Sequence, residues 1–194
     1  MAELLRTHPL EVWHADFERL PDTVGIAVEP FVAMVDVRLG AGGAAASAAH
    51  GVELPVAPDT WVPAGSGRAV WLGPDEWLLT STTETPEELE ARVRAAVLSL
   101  GGSATDVSAQ RIGLRLTGAR VRDVLAKGCS IDLHPRVFGR GSSAQTALGQ
   151  AGVVLLALSD AGDDYVVLVR SSFAGYLADW LLDAALEFTP THDR

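Results

Sequence analysis

One pattern constrains this chain more than any other. Short apolar runs followed by an amphipathic helix occur twice, in the same order. Residues 31–39, 69–72 and 76–80 read as strands and 86–100 as a helix; residues 111–117, 152–158 and 165–170 read as strands and 172–187 as a helix. In the first set Phe31, Ala33, Val35, Val37 and Leu39 alternate, the mark of a half-buried strand. Gly73, Pro74 and Asp75 separate two apolar runs with the dihedrals and side-chain bonding of a hairpin turn. Pro86 and the acids Glu87, Glu88 and Glu90 suit a first helical turn, and Leu89, Val93, Ala96, Val97 and Leu100 make its apolar stripe. In the second set Phe173, Tyr176, Leu177, Trp180, Leu181 and Ala184 recur at helical spacing behind Ser171 or Ser172 as cap.

Hairpins followed by helices predict an α+β fold, with two small subdomains of mainly antiparallel sheet and helices packed on one face. The expected division is 1–100 and 101–194, joined near 101–108 and packed as one compact unit. The remaining segments carry weaker expectations. Residues 10–20 suggest a helix with Val12, Trp13, Phe17 and Leu20 inward, and 24–28 a further strand. The small-residue run 40–51 suggests a loop. Pro55, Pro58 and Pro63 make 52–68 irregular, and the tail from Thr189 frays.

The densest set of chemistry-bearing residues lies in 106–146. A strand at 112–116 and a short helix at 119–127 lead into a loop holding Cys129, Asp132, His134, Pro135, Phe138 and Gly141. The formal net charge of the chain is −10, against non-specific nucleic-acid binding. Yet within 110–140 Arg111, Arg115, Arg120, Arg122, Lys127, Arg136 and Arg140 face only Asp123 and Asp132, a local net of +5. Such a group is a solvated surface or a docking face for an acidic partner or anion.

No complete catalytic or metal-binding set is present in the pattern. The five histidines are scattered, and Cys129, Asp132 and His134 lack a second cluster to complete four ligands. Cys129 with His134 as base lacks an orienting third group, and a lone cysteine after a helix is more often a small buried hydrophobe. Residues 40–45 fit the letters of a dinucleotide fingerprint, but no βαβ unit follows. No apolar run approaches the ~20 residues of a membrane span. With no signal-peptide layout and a single cysteine, the expected location is cytoplasmic.

The words WLGPDEWLLT (71–80), DVSAQRIGLRLTGARVRDVLAKGCSIDLHPRVF (106–138), AQT (144–146) and LVRSSFAGYLADWLLDA (168–184) closely resemble the gamma subunits of heterotetrameric sarcosine oxidases. The likeness spans about residues 25–188. It implies a fold similar to the folate-binding domains of aminomethyltransferases. It also implies a role in a complex that demethylates sarcosine to glycine, forming hydrogen peroxide and, with tetrahydrofolate, methylenetetrahydrofolate. The alpha and beta subunits are implied to carry FAD, covalent FMN, NAD and the folate site, and the delta subunit zinc. This chain is then a non-catalytic subunit that binds no cofactor or metal itself. Its partners are the alpha, beta and delta subunits, mainly alpha, with no nucleic acid or membrane. The alternative is a stand-alone folate-binding or aminomethyltransferase-like protein. One departure is visible. Where the family pattern reads nearer G-x-C-A-Q-T, this chain has Gly141, Ser142, Ser143, Ala144, Gln145 and Thr146. The residues expected to meet a partner are Arg111, His134, Arg136, Phe138 and Arg140.

Overall fold

The computed structural model describes residues 7–40 and 42–189. Ten strands run through it: β1 (Gly25–Val28), β2 (Ala33–Arg38), β3 (Trp61–Ala64), β4 (Gly67–Gly73), β5 (Glu76–Ser81), β6 (Ser103–Asp106), β7 (Arg111–Thr117), β8 (Ser143–Leu148), β9 (Ala151–Ala157) and β10 (Asp164–Arg170). Five helices join them: α1 (His14–Phe17), α2 (Gly43–Ser47), α3 (Pro86–Leu98), α4 (Val121–Ala126) and α5 (Ala174–Ala185). The strands form two five-stranded antiparallel sheets, ordered β3-β4-β5-β2-β6 and β1-β7-β10-β9-β8.

The two orders are the same plan. β2, β5, β4 and β3 stand in the first sheet as β7, β10, β9 and β8 stand in the second. The fifth strand of each sheet is exchanged. β1, from the first half of the chain, pairs with β7, and β6, from beyond residue 100, pairs with β2. Ile26 of β1 therefore packs in one core with Leu114 and Leu116, while Ala104 of β6 packs in another with Val35 and Val37. The boundary expected at residue 100 divides the chain, but each sheet takes one strand from across it.

Period-two alternation puts the strands' two faces to different uses. Val35, Val37, Trp77 and Leu79 face α3, whose Leu89, Val93 and Val97 are fully buried. Met34, Val70, Leu72 and Leu78 face the other way, onto Val154, Leu156, Val166 and Leu168 of the second sheet. The outer face of that sheet carries Leu114, Leu116, Val167 and Val169 against α4 and α5. The layers run helix, sheet, sheet, helix. The expectation that β2 is half-buried is corrected, because the second sheet covers its other face. Thr85 caps α3 in a reciprocal box with Glu88, accepting from Glu88 N at 3.2 Å while Glu88 Oε2 accepts from Thr85 N at 2.9 Å.

Other expectations need correction for identifiable reasons. The Pro-rich stretch holds β3 and the start of β4. Pro63 is tolerated because β3 is an edge strand, where a missing N–H is harmless. Residues 43–50 are α2 and a 3-10 turn rather than a loop. Residues 10–20 form a 3-10 turn and the four-residue α1; Phe17 is buried but Val12 is 76% exposed. Phe31 is also outside the core, 53% exposed. Neither Ser171 nor Ser172 caps α5. Residues 171–173 make a 3-10 turn, and Ser171 Oγ donates to Ala109 O at 2.6 Å. The part of the expected frayed tail after residue 189 lies outside the described residues.

Candidate partner interface

The loop after α4 is built by its own hydrogen bonds. Gly128 lets the chain pass beneath Trp180; a Cβ at that position would stand 2.4 Å from Trp180 Cζ2. Asp132 Oδ1 then accepts from His134 N at 2.9 Å. The His134 carbonyl accepts from Val137 N at 2.8 Å and Phe138 N at 2.9 Å. His134 Nδ1 accepts from Arg136 N at 3.2 Å. Arg140 N donates to Asp160 Oδ1 at 3.0 Å, and Gly141 N to Ala157 O at 3.2 Å, so the far side of the loop is tied to β9 and the turn after it. Leu133 and Phe138 are the loop's two apolar anchors, both buried.

This scaffold leaves His134, Arg136, Val137 and Arg140 outward, Val137 at 65% exposure. Elsewhere in the basic stretch three of the charges are answered within the chain: Arg115 by Asp164 at 2.8 Å, Arg120 by Asp123 at 3.1 Å, and Lys127 by Glu187 at 2.8 Å. Among the described residues, no ion pair engages Arg136 or Arg140. Two unneutralised guanidiniums on a pre-shaped loop, with an exposed valine between them, suit bidentate pairing with carboxylates at low ordering cost.

The five residues expected at one interface are not clustered in one place. Phe138 is turned inward against Tyr165, so it holds the loop rather than presenting a ring to a partner. Arg111 stands in register with Arg170, at the opposite end of the β7–β10 ladder from Tyr165. The strand rise puts those ends about 17 Å apart. His134, Arg136 and Arg140 remain together.

Arg111 instead borders a cavity of about 640 Å3, whose walls include His8, Glu29, Phe31, Thr83 and Ser108. Burial pushes the Arg111 guanidinium below its usual pKa, the neighbouring Arg170 adds to this, and Glu76 and Asp36 oppose it. Burial and the nearby Asp36 raise Glu76 above the usual carboxylate value, against the pull of Arg38, which it meets at 2.9 Å. Burial likewise lowers His8, whose ring lies 5.5 Å from that of Phe31. Sequence reasoning missed this cavity because its lining comes from separate stretches that no local motif links. The exposed aromatic at Phe31, beside Pro30, is the one local signal.

The thiol reading gains no support from geometry. Cys129 is buried, with Thr146 Oγ1 4.0 Å from its sulfur, while His134 is exposed. Among the described residues no group of three or more His, Cys, Asp or Glu could hold a metal ion, and no helix is long and apolar enough to cross a membrane.

With this geometry in place, comparison with known proteins gives one consistent answer. The model of the "Sarcosine oxidase, gamma subunit family" matches residues 35–187. The gamma subunit of sarcosine oxidase from Corynebacterium sp. (strain P-1) is 40% identical over 174 residues, 86% of this chain and 82% of that protein. The counterpart from Corynebacterium sp. (strain U-96) is 40% identical over 149 residues, 76% of this chain and 71% of that protein. A chain in the structure of heterotetrameric sarcosine oxidase from Corynebacterium sp. U-96 in complex with pyrrole 2-carboxylate superposes with a TM-score of 0.85 at 32% identity, covering 97% of this chain and 99% of that one. Aminomethyltransferase T of the glycine cleavage system from Bartonella henselae shares the fold, with a TM-score of 0.61 at 14% identity over 91% of this chain and 50% of that one. The chain belongs to the sarcosine oxidase gamma subunit family.

Proposed function

We propose that this chain is a non-catalytic gamma subunit of a heterotetrameric sarcosine oxidase. In that role it supports the oxidative demethylation of sarcosine to glycine, with formation of hydrogen peroxide and methylenetetrahydrofolate. The observation that carries this reading is the superposition over nearly the full length of both chains with a subunit of such an assembly. Its partners would be the alpha, beta and delta subunits, mainly alpha, in the cytoplasm. FAD, FMN, NAD and zinc would reside on those partners, with tetrahydrofolate as substrate. The chain would brace the alpha subunit and help wall off the path of the folate-bound one-carbon unit. His134, Arg136 and Arg140 would dock on the partner, held in place by Phe138, and Arg111 would form a separate contact.

Co-expression with the alpha, beta and delta subunits tests the proposal. The chain should copurify stoichiometrically, and its omission should reduce assembly and activity. Unchanged assembly and activity without it would sink the reading. The rival, a stand-alone folate-binding protein, draws on a likeness that establishes the fold alone, to half of a longer chain. Titration calorimetry of the isolated chain with tetrahydrofolate separates the two, since micromolar binding favours the rival.

A further inference from the structure

Arg111 is held in this fold at a cost that the free chain does not recover. It stands directly across the β7–β10 ladder from Arg170, and like charges in that position repel. It is half-buried, and its side-chain hydrogen bond runs from Nη1 to the neutral Gln110 Oε1 at 2.8 Å. Asp36 and Glu76 temper the charge from a distance, and Glu76 is already engaged by Arg38. No carboxylate forms an ion pair with Arg111 among the described residues.

Four acids line the cavity beside Arg111, Glu29, Glu84, Glu87 and Asp106, and none of them forms an ion pair with Arg111 among the described residues. Glu29 pairs with Arg68 at 3.2 Å, Glu84 with Arg92 at 2.7 Å, and Asp106 Oδ1 accepts from Ser108 N and Oγ at 2.9 and 2.6 Å. The guanidinium is therefore the cavity's unanswered cation. The walls also hold the half-exposed Phe31 ring, and Phe173, 43% exposed, lies two residues beyond the cavity-lining Ser171. An exposed aromatic in the same cavity as a partly desolvated arginine is what the centre of a protein–protein contact presents before its partner arrives.

We propose that this cavity is a socket for a segment of a partner subunit that carries an aspartate or glutamate beside an apolar residue. The carboxylate pairs with Arg111, and the apolar side chain covers Phe31. The volume of about 640 Å3 accommodates several side chains. A carboxylate placed there offsets the Arg111–Arg170 repulsion that the free chain bears, so the socket is favourable only when filled. The inference rests on reading the chain as a subunit of a heterotetramer.

Carbodiimide coupling of the assembled complex is the test, because it joins a lysine only to a carboxylate in contact with it. Lys127 is the chain's one lysine, so Arg111→Lys adds a single new reactive side chain in the socket wall. The variant complex should give a link from the lysine introduced at position 111 to an aspartate or glutamate in a partner peptide, absent from the wild type. If the complex assembles and that lysine couples only within its own chain, or not at all, the socket is wrong while the subunit reading stands. If the wild-type chain fails to join its partners, the subunit reading itself falls. Arg111→Gln supplies the second measurement. It should weaken association at least roughly 30-fold, as truncating one partner of a desolvated charge pair does. It should leave the melting temperature of the isolated chain unchanged or higher. A lowered melting temperature with unweakened association would show a purely structural arginine and overturn the proposal.

Discussion

The Phe138 ring lies nearly parallel to that of Tyr165, with 6.4 Å between centroids and 12° between planes. This contact fastens the loop to β10, and it separates two roles that the loop's composition runs together. Phe138→Ala should create a core cavity and destabilise the chain by about 3–5 kcal/mol. Arg136→Ala should change stability by less than about 0.5 kcal/mol, as an exposed and unpaired side chain does. In a complex with the alpha, beta and delta subunits the Arg136 variant should nevertheless assemble more weakly. Chemical denaturation and copurification read the two effects separately. An Arg136 variant that assembles normally would refute the placement of the interface.

Two buried hydroxyls, Ser143 Oγ and Tyr165 Oη, have no hydrogen-bond partner among the described protein groups. Burial also holds the Tyr165 phenol above its usual pKa. A buried hydroxyl without a partner costs about 1–3 kcal/mol of desolvation. Ser143→Ala and Tyr165→Phe should each raise stability by about 1 kcal/mol, since removing such a group returns part of that cost. Ser143→Cys should act in the same direction, because a thiol is a weaker polar group. Thermal melts of the single variants check this; a loss of stability in all three would show that the hydroxyls are satisfied in solution.

Elements with a strong period were legible in the sequence. β2, β5, β7, β9 and β10 could be read from alternating or continuous apolar runs, and α3 and α5 from their stripes. β3, β6 and β8 were not legible, and all three are edge strands. An edge strand buries little, so small and polar residues such as those of 103–106 and 143–148 suffice, and even Pro63 is admitted. Strand exchange was also invisible, because nothing local in residues 25–28 specifies that their partner is β7. At the candidate interface, unpaired arginines could be guessed from the excess of positive charge. Which basic side chains are unpaired could not, since Asp164 and Glu187, the partners of Arg115 and Lys127, come from elements that only the fold brings near.

Acid should act with opposite sign on two glutamates, Glu76 at the start of β5 and Glu84 beyond its end. Arg92 holds Glu84 below its ordinary value of 4.5, mainly through hydrogen bonding. Its folded form binds fewer protons than its unfolded form, so its contribution is present above that value and is lost as pH falls through the folded pKa. Glu76 is raised above 4.5, mainly by burial. It binds more protons when folded, so its effect on stability declines as pH rises from the unfolded value through the folded one. Glu84→Gln should flatten the loss of stability on acidification, and Glu76→Gln should steepen it. Denaturant midpoints from pH 3 to pH 7, about the range in which carboxylates titrate, would show this. Parallel shifts of both variants at every pH would contradict the opposite signs.

The strand exchange ties the two halves of the chain together. A fragment of residues 1–100 contains β1 without β7, and a fragment of residues 101–194 contains β6 without β2. The second fragment also lacks Leu10, Phe17, Val24 and Ile26 from its own helix-side core, and its other sheet face would expose Val154, Leu156, Val166 and Leu168. Each of these buried side chains contributes about 1.5–3 kcal/mol, comparable in sum to the whole stability of a domain this size. The fragments should therefore be largely unfolded when expressed separately, and should regain cooperative unfolding when mixed. Circular dichroism and size-exclusion chromatography of the separate and combined fragments check the claim. A cooperatively folded monomer of residues 101–194 alone would mean that the exchanged strand and the shared core between the sheets are dispensable.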